Sequence, residues 1–171
     1  SRLPAGVAHL EITNRLAKEG TWDKESAFFA FPFATRERPT VLQESAGGLT
    51  GPGTPQVPGG AEYMRAIRHF VALQDGPAGI AWATAEVPLV EVGTLALPYV
   101  PFGSTLRAEE PGTLFSWVHN NIWDTNFPVQ QAFDTDFRYR VAAGDGDAPS
   151  LGARTAASLV QPLRPVLAER E

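Results

Sequence analysis

Fifteen prolines among 171 residues limit what this chain can fold into. A proline inside a helix costs about 3 kcal/mol, because it removes a backbone donor and clashes with the preceding turn. Turns and strand ends accept proline much more readily. Sixteen glycines add to the supply of turn residues. The composition therefore favours an all-β fold over a helical one.

The order of apolar and polar residues predicts strands that are joined by turns. Residues 132–142 alternate clearly, and a hairpin turn is expected at Asp75-Gly76-Pro77. The phenylalanines of SAFFAFPF (26–33) are expected to fill the space between two sheets. The predicted strands are 7–16, 26–33, 68–74, 78–84, 87–97, 113–120 and 132–142. Seven strands with Gly- and Pro-rich connections predict an antiparallel β-sandwich.

The rest of the chain is predicted to be mostly loop. LGARTAASLV (151–160) predicts one short helix, which Pro162 and Pro165 prevent from extending. A β-sandwich domain is therefore expected over 1–145, followed by a C-terminal tail over 146–171. The other non-strand predictions are a long surface loop at 34–61, one helical turn near 61–65 and a turn-rich connector at 143–150.

Length and charge narrow the functional classes. A chain of 171 residues fits one domain. A net charge of −5 and an isoelectric point near 5.2 argue against a general nucleic-acid or anionic-membrane binder. No apolar run approaches the roughly 20 residues that span a bilayer, and no signal peptide is visible. We expect no nucleic-acid or membrane partner and a cytoplasmic location.

The chain has no cysteine, which removes disulfides, thiolate metal sites and cysteine nucleophiles together and suits a reducing compartment. Its three histidines are His9, His69 and His119, and no two of them stand at helical i, i+4 spacing. No metal site and no cofactor are therefore predicted in this chain.

The stretch WVHNNIWDTNF (117–127) combines large rings with short amides. One interpretation is structural: a loop after a strand, locked by asparagines that bond backbone groups and anchored in the core by tryptophans. The other is functional, because amides and aromatic faces suit the hydroxyl groups and apolar C–H faces of sugars. His119 is expected to be exposed and without a role. The candidate carbohydrate-binding residues are Trp117, Asn120, Asn121, Trp123 and Asn126.

Asp134 and Asp136 are candidates for a catalytic pair of carboxylates. Asp134 and Asp136 stand at i, i+2 on one strand, roughly 7 Å apart by strand geometry, and glycosidases use two carboxyl groups about 5–10 Å apart. Arg138 and Arg140 lie on the same predicted face. A solvated, charge-paired strand face is the simpler interpretation, so no catalytic residue is predicted here.

Three blocks resemble the C-terminal β-sandwich region of family 38 glycoside hydrolases, which are α-mannosidase-like enzymes. In LEITNRLAKEGTWDKESAFFAFPF the matching residues are Asn14, Lys18, Thr21, Lys24, Glu25, Ala30, Phe31, Pro32 and Phe33. In RHFVALQDGPAGIAWATAEVPLVEVG they are His69, Phe70, Asp75, Gly79, Trp82, Thr84, Pro88, Leu89 and Val90. In LFSWVHNNIWDTNFPVQQAFDTDFRYRV they are Trp117, Asn120, Asn121, Trp123, Thr125, Asn126, Phe137, Arg138 and Tyr139.

The resemblance implies that the chain is part of a longer enzyme. Such enzymes carry a zinc ion and an aspartate nucleophile in an α/β-barrel catalytic domain, none of whose motifs occurs here, and their C-terminal sandwich is a galactose-mutarotase-like supersandwich. The implied role is a non-catalytic β-sandwich that supports the catalytic domain of the same polypeptide and borders the site for a glycan or mannoside. A self-contained carbohydrate-binding module is the alternative, and an independent hydrolase using Asp134 and Asp136 ranks third.

Overall fold

The computed structural model describes residues 1, 8–46, 48–51, 64–93, 95, 110–122 and 128–162. Within them lie ten strands and one helix. The bounds are β1 His9–Lys18, β2 Ser26–Pro32, β3 Thr40–Ser45, β4 Gly48–Thr50, β5 Met64–Ala66, β6 Phe70–Asp75, β7 Ala78–Thr84, β8 Leu89–Val92, β9 Thr113–Asn120, β10 Phe133–Asp145 and α1 Ala148–Val160.

Two antiparallel sheets pack against each other, which confirms the predicted β-sandwich. The larger sheet has the strand order β1-β10-β7-β6-β3-β4, and the smaller has the order β2-β9-β8-β5. Hairpin β6–β7 turns at Gly76-Pro77, as predicted. Gly76 has a φ of 58°, and a positive φ at the first central residue alone is the pattern of a type II′ turn.

The prediction of one long loop at 34–61 is wrong. Strands β3 and β4 occupy part of it, and β3 pairs with β6 through Val41 and Leu42. The local sequence is rich in turn residues, but the open edge of β6 offers backbone partners that override this preference. The helical turn expected near 61–65 is also wrong from Met64 onward, where β5 begins. Residues 52–63 lie outside the described part of the chain.

Other predicted bounds shift by a few residues. The strand expected at 87–97 is Leu89–Val92, and Gly93 follows it with a φ of 73°. The connector expected at 143–150 is shorter, because β10 continues to Asp145 and the helix begins at Ala148. Asp147 caps that helix by accepting a hydrogen bond from Ser150 N at 2.8 Å.

The main core lies between the two sheets and is built around three aromatic rings. Trp82 stacks on Tyr139 with 5.4 Å between ring centroids, and Phe31 meets both rings at 5.3 and 4.8 Å. Phe29 and Phe33 pack against this cluster, which confirms the predicted inter-sheet position for them and for Phe31. Phe28 lies outside the cluster and stacks on Trp117 instead. Burial raises the pKa of the Tyr139 hydroxyl, which lies 3.1 Å from Ser116 Oγ.

A second, smaller core lies under α1 on the outer face of the larger sheet. It contains Phe70, Ala72, Ala83, Ala148 and Ala156. Small side chains on β6 and β7 let the helix approach the sheet closely. Gly152 faces Phe70, and a Cβ added there would lie 2.4 Å from Phe70 Cδ2.

Replacing Gly152 with alanine is expected to destabilise the protein by about 1–3 kcal/mol through overpacking against Phe70. In an exposed helix the same change stabilises by about 1 kcal/mol. The matched control is Ala153→Gly on the exposed face of α1, where a loss of about 1 kcal/mol is expected. Urea unfolding measures both, and a Gly152→Ala variant more stable than the parent would contradict the close packing.

Candidate functional site

One end of the sandwich brings together two segments that are distant in sequence. Lys18 pairs with Phe133 where β1 meets β10, and Ser26 pairs with Asn120 where β2 meets β9. The connection between β1 and β2 therefore lies beside the segments that leave β9 and enter β10. We call residues 19–25, 120–122 and 128–132 the Asn121 end.

Asn121 holds this end together. Its side chain is 1% exposed, and Nδ2 donates to Thr21 O at 3.0 Å and to Asp23 O at 2.9 Å. Its backbone N–H donates to Glu25 O at 2.8 Å. These three hydrogen bonds hold the 19–25 loop against a residue that lies 100 positions after Thr21 in the sequence. The predicted structural role of an asparagine lock is confirmed here.

Two buried oxygens without hydrogen-bond partners lie at or beside the Asn121 end, and others, such as Thr50 Oγ1, lie elsewhere in the described chain. Within the described ranges, Asn121 Oδ1 and the neighbouring Ser26 Oγ are buried and make no hydrogen bond. Such atoms are uncommon in folded proteins and call for an explanation at each place. The fixed 19–25 loop and the unpaired oxygens beside it make this end the candidate functional site.

Charged groups join the two sheets at the same place. Lys18 Nζ lies 2.7 Å from Glu25 Oε1, and His119 Nε2 lies 3.4 Å from the same oxygen. The prediction that His119 is exposed is wrong: it is 5% exposed, because Glu25 and the Phe133 ring, 5.3 Å away, cover it. The Lys18 ammonium, with a smaller contribution from His119, holds the pKa of the Glu25 carboxyl below its ordinary value.

The Glu25 pair predicts a pH dependence of stability. Because the folded state lowers the pKa of Glu25, its stabilisation is present above the unfolded pKa of about 4.3 and is lost as pH falls through the lower folded value. Glu25→Gln should therefore destabilise the protein at neutral pH, and its difference from the parent should shrink on acidification. Denaturant unfolding across this pH range measures the difference.

The control for this pair is a double-mutant cycle with Lys18→Gln. We expect a favourable coupling free energy between the two side chains at neutral pH. This coupling should disappear in acid, because only the ionised carboxylate attracts the ammonium. A difference between parent and Glu25→Gln that grows as pH falls would contradict the sign argued here.

The other described sugar-binding candidates, Trp117 and Asn120, form hydrogen bonds within the fold. Trp117 is 6% exposed, stacks on Phe28 at 5.4 Å and donates its indole N–H to His119 O at 2.8 Å. Asn120 Oδ1 accepts from Ile122 N at 2.9 Å and forms a local turn. Trp117 is therefore buried, as the structural interpretation predicted, but it packs on Phe28 and is not among the residues of the inter-sheet core. Trp123 and Asn126 lie outside the described residues.

Sequence reasoning missed Trp22, which carries an exposed ring in the described part of this end. Its side chain is 67% exposed and lies on the loop that Asn121 fixes. Thr21, Asp23 and Lys24 surround it in sequence, so no apolar periodicity marked it. The available signal was a large aromatic residue alone among polar turn residues, a setting in which burial by local packing is not expected.

Charged side chains on β10 form ion pairs with residues of neighbouring strands and loops, as expected. Asp134 accepts from Arg15 Nε at 2.8 Å on β1, and this bond holds the pKa of Asp134 below its ordinary value. Further pairs join Arg138 to Glu86 and Arg140 to Glu11, each at 2.6 Å. A lowered pKa opposes a role for Asp134 as a general acid, since that role needs a raised one.

Comparison of the chain with protein-family models and with curated proteins gave no match. Across the described ranges, no group of three or more histidine or carboxylate side chains is arranged to hold a metal ion. Nor is any helix in this part of the chain long and apolar enough to cross a membrane.

Proposed function

We propose that this chain is a non-catalytic β-sandwich portion of an α-mannosidase-like glycoside hydrolase, within a galactose-mutarotase-like supersandwich. Its Asn121 end borders the glycan site of the full enzyme. The observation that carries the proposal is the contact between residues on which the resemblance rests. Thr21 and Glu25 come from the first resembling block and Asn121 from the third, and hydrogen bonds join them.

The core supports the proposal in the same way. Phe31, Trp82 and Tyr139 each come from a different resembling block, and their rings lie 4.8–5.4 Å apart. Residues that pack on one another are what a shared fold requires, since core partners must remain complementary.

The proposed role assigns no chemical step to this chain. Its described residues position a loop and join two sheets, and the catalytic domain of the same polypeptide supplies the zinc ion and the nucleophile. The partners are that domain and, through the full enzyme, a glycan or mannoside. We place the enzyme in the cytoplasm, because a chain without cysteine suits a reducing compartment.

A self-contained carbohydrate-binding module is the second candidate. The observation that favours it is Trp22, an exposed ring on a fixed loop among polar residues. A module binds sugar without help from another domain. Sub-millimolar affinity of the 171-residue chain for an α-mannoside in a calorimetric titration would favour it over the supporting role.

The natural polypeptide tests the main proposal. We expect the native gene product to have an intact mass several times 18.4 kDa and to hydrolyse a nitrophenyl α-mannoside after purification. A native product of 18.4 kDa would overturn the proposal, and so would a longer product without glycosidase activity. The control is the 171-residue chain alone, in which no turnover is expected.

A further inference from the structure

We infer that Trp22 is a sugar contact: its exposed indole face stacks on the apolar C–H face of a hexopyranose at the border of the glycan site. The inference rests on the proposed function and adds to it a specific residue and a mode of contact. The inferred sugar contact is therefore on the loop that precedes β2 and not at Trp117, whose ring is buried. Trp22 is 67% exposed, whereas Trp117 is 6% exposed.

The loop holds the Trp22 backbone in place. The carbonyl groups on either side, Thr21 O and Asp23 O, both accept from Asn121 Nδ2 at 3.0 and 2.9 Å. Thr21 Oγ1 also accepts from Asp23 N at 3.1 Å, which tightens the turn. A ring on a fixed backbone loses little freedom when a ligand binds, so more of the contact energy appears as affinity.

Polar residues share the loop with Trp22 and lie against it. Asp23 follows Trp22, and the Gln130 side chain lies against Gly20, where an added Cβ would be 3.2 Å from Gln130 Oε1. A pyranose offers hydroxyl groups at its rim and C–H groups on its face. An exposed aromatic face on a loop that also carries polar residues suits both features, because the ring covers the C–H face and polar groups bind hydroxyls.

A protein partner fits this surface less well. Protein interfaces have a contiguous apolar centre, and the other exposed large apolar residues of the described chain are Leu49 and Leu95. Leu49 lies on β4, at the opposite edge of the larger sheet from β1. Leu95 lies beyond Val92, which pairs with Leu114 near the start of β9. Trp22 is therefore isolated from both.

Titration of the 171-residue chain with an α-linked mannotriose, followed by NMR of the indole N–H groups, tests the inference. We expect a saturable shift of the Trp22 signal with a millimolar dissociation constant, because the catalytic domain supplies the rest of the site. Trp22→Ala should weaken binding at least about tenfold, and Trp22→Phe should weaken it less, since the smaller ring still stacks. Leu49→Ala is the matched exposed control and should bind as the parent does.

Two results would overturn the inference and leave the main proposal to its own test. One is the absence of any saturable shift in the parent chain, and the other is unchanged binding in Trp22→Ala. A third result would assign Trp22 to a domain interface instead: Trp22→Ala in the natural polypeptide lowers its melting temperature but leaves its KM for the mannoside unchanged. The structural control is the unfolding midpoint of the isolated Trp22→Ala chain, which should match the parent.

Discussion

Replacing Trp82 with alanine is expected to lower the free energy of unfolding by about 3–5 kcal/mol. The side chain is 0% exposed and lies between the sheets, stacked on Tyr139 and in edge contact with Phe31. Its removal loses apolar burial and leaves a cavity, which strands fixed on both sides by hydrogen bonds close only in part. Urea unfolding followed by far-UV circular dichroism measures the change.

The chain offers a matched control in Trp22→Ala, which is the same chemical change at an exposed site. It is expected to alter the free energy of unfolding by less than about 0.5 kcal/mol. Because small domains have only about 5–15 kcal/mol of stability, Trp82→Phe provides a milder variant that retains a ring. If Trp82→Ala and Trp22→Ala changed the free energy of unfolding by similar amounts, the buried position of Trp82 and the exposed position of Trp22 would be contradicted.

Replacing Asn121 with alanine is expected to cost about 2–4 kcal/mol. Two carbonyl groups, Thr21 O and Asp23 O, lose their shared donor at a buried site, and each such loss costs about 1–3 kcal/mol when water does not replace the bond fully. The 19–25 loop should also become mobile. Urea unfolding gives the stability, and hydrogen exchange of the Glu25–Ala27 amides reports the loop.

Two further variants separate the amide donor from side-chain volume. Asn121→Asp keeps the shape but at neutral pH directs a carboxylate at two carbonyl oxygens, so we expect it to be at least as destabilising as alanine. Asn120→Ala removes one local bond, to Ile122 N, and should cost about 0.5–1.5 kcal/mol. If Asn120→Ala and Asn121→Ala cost the same, the proposed lock between loop and strand is wrong.

The strands that local patterns predict well are those whose neighbours reinforce the pattern. Strand β9 has the predicted bounds, Thr113–Asn120, and the β6–β7 hairpin turns at the predicted Gly76-Pro77. Strand β3 was missed inside a segment rich in glycine and proline. Its residues pair with β6, and backbone bonds to an existing strand edge stabilise a segment whose own preference is for turns.

The candidate site was predicted only in part, for a related reason. The asparagines of 117–127 marked a fixed loop, and Asn121 does fix one, but its partners Thr21 and Asp23 lie about 100 positions away. No local pattern shows which loop an amide will bind. Trp22 carried no periodic signal, and His119, expected outside, lies beneath Glu25 and Phe133.

By itself, the sequence determined the all-β class, the place of the tight turn and the aromatic composition of the core. These follow from backbone sterics and from side-chain alternation, which act over a few residues. Only the tertiary structure decided which tryptophan is covered and which faces solvent, and which carbonyls Asn121 binds. Burial and long-range hydrogen bonding depend on which distant segments come into contact in the sandwich. A short stretch of chain does not specify those contacts.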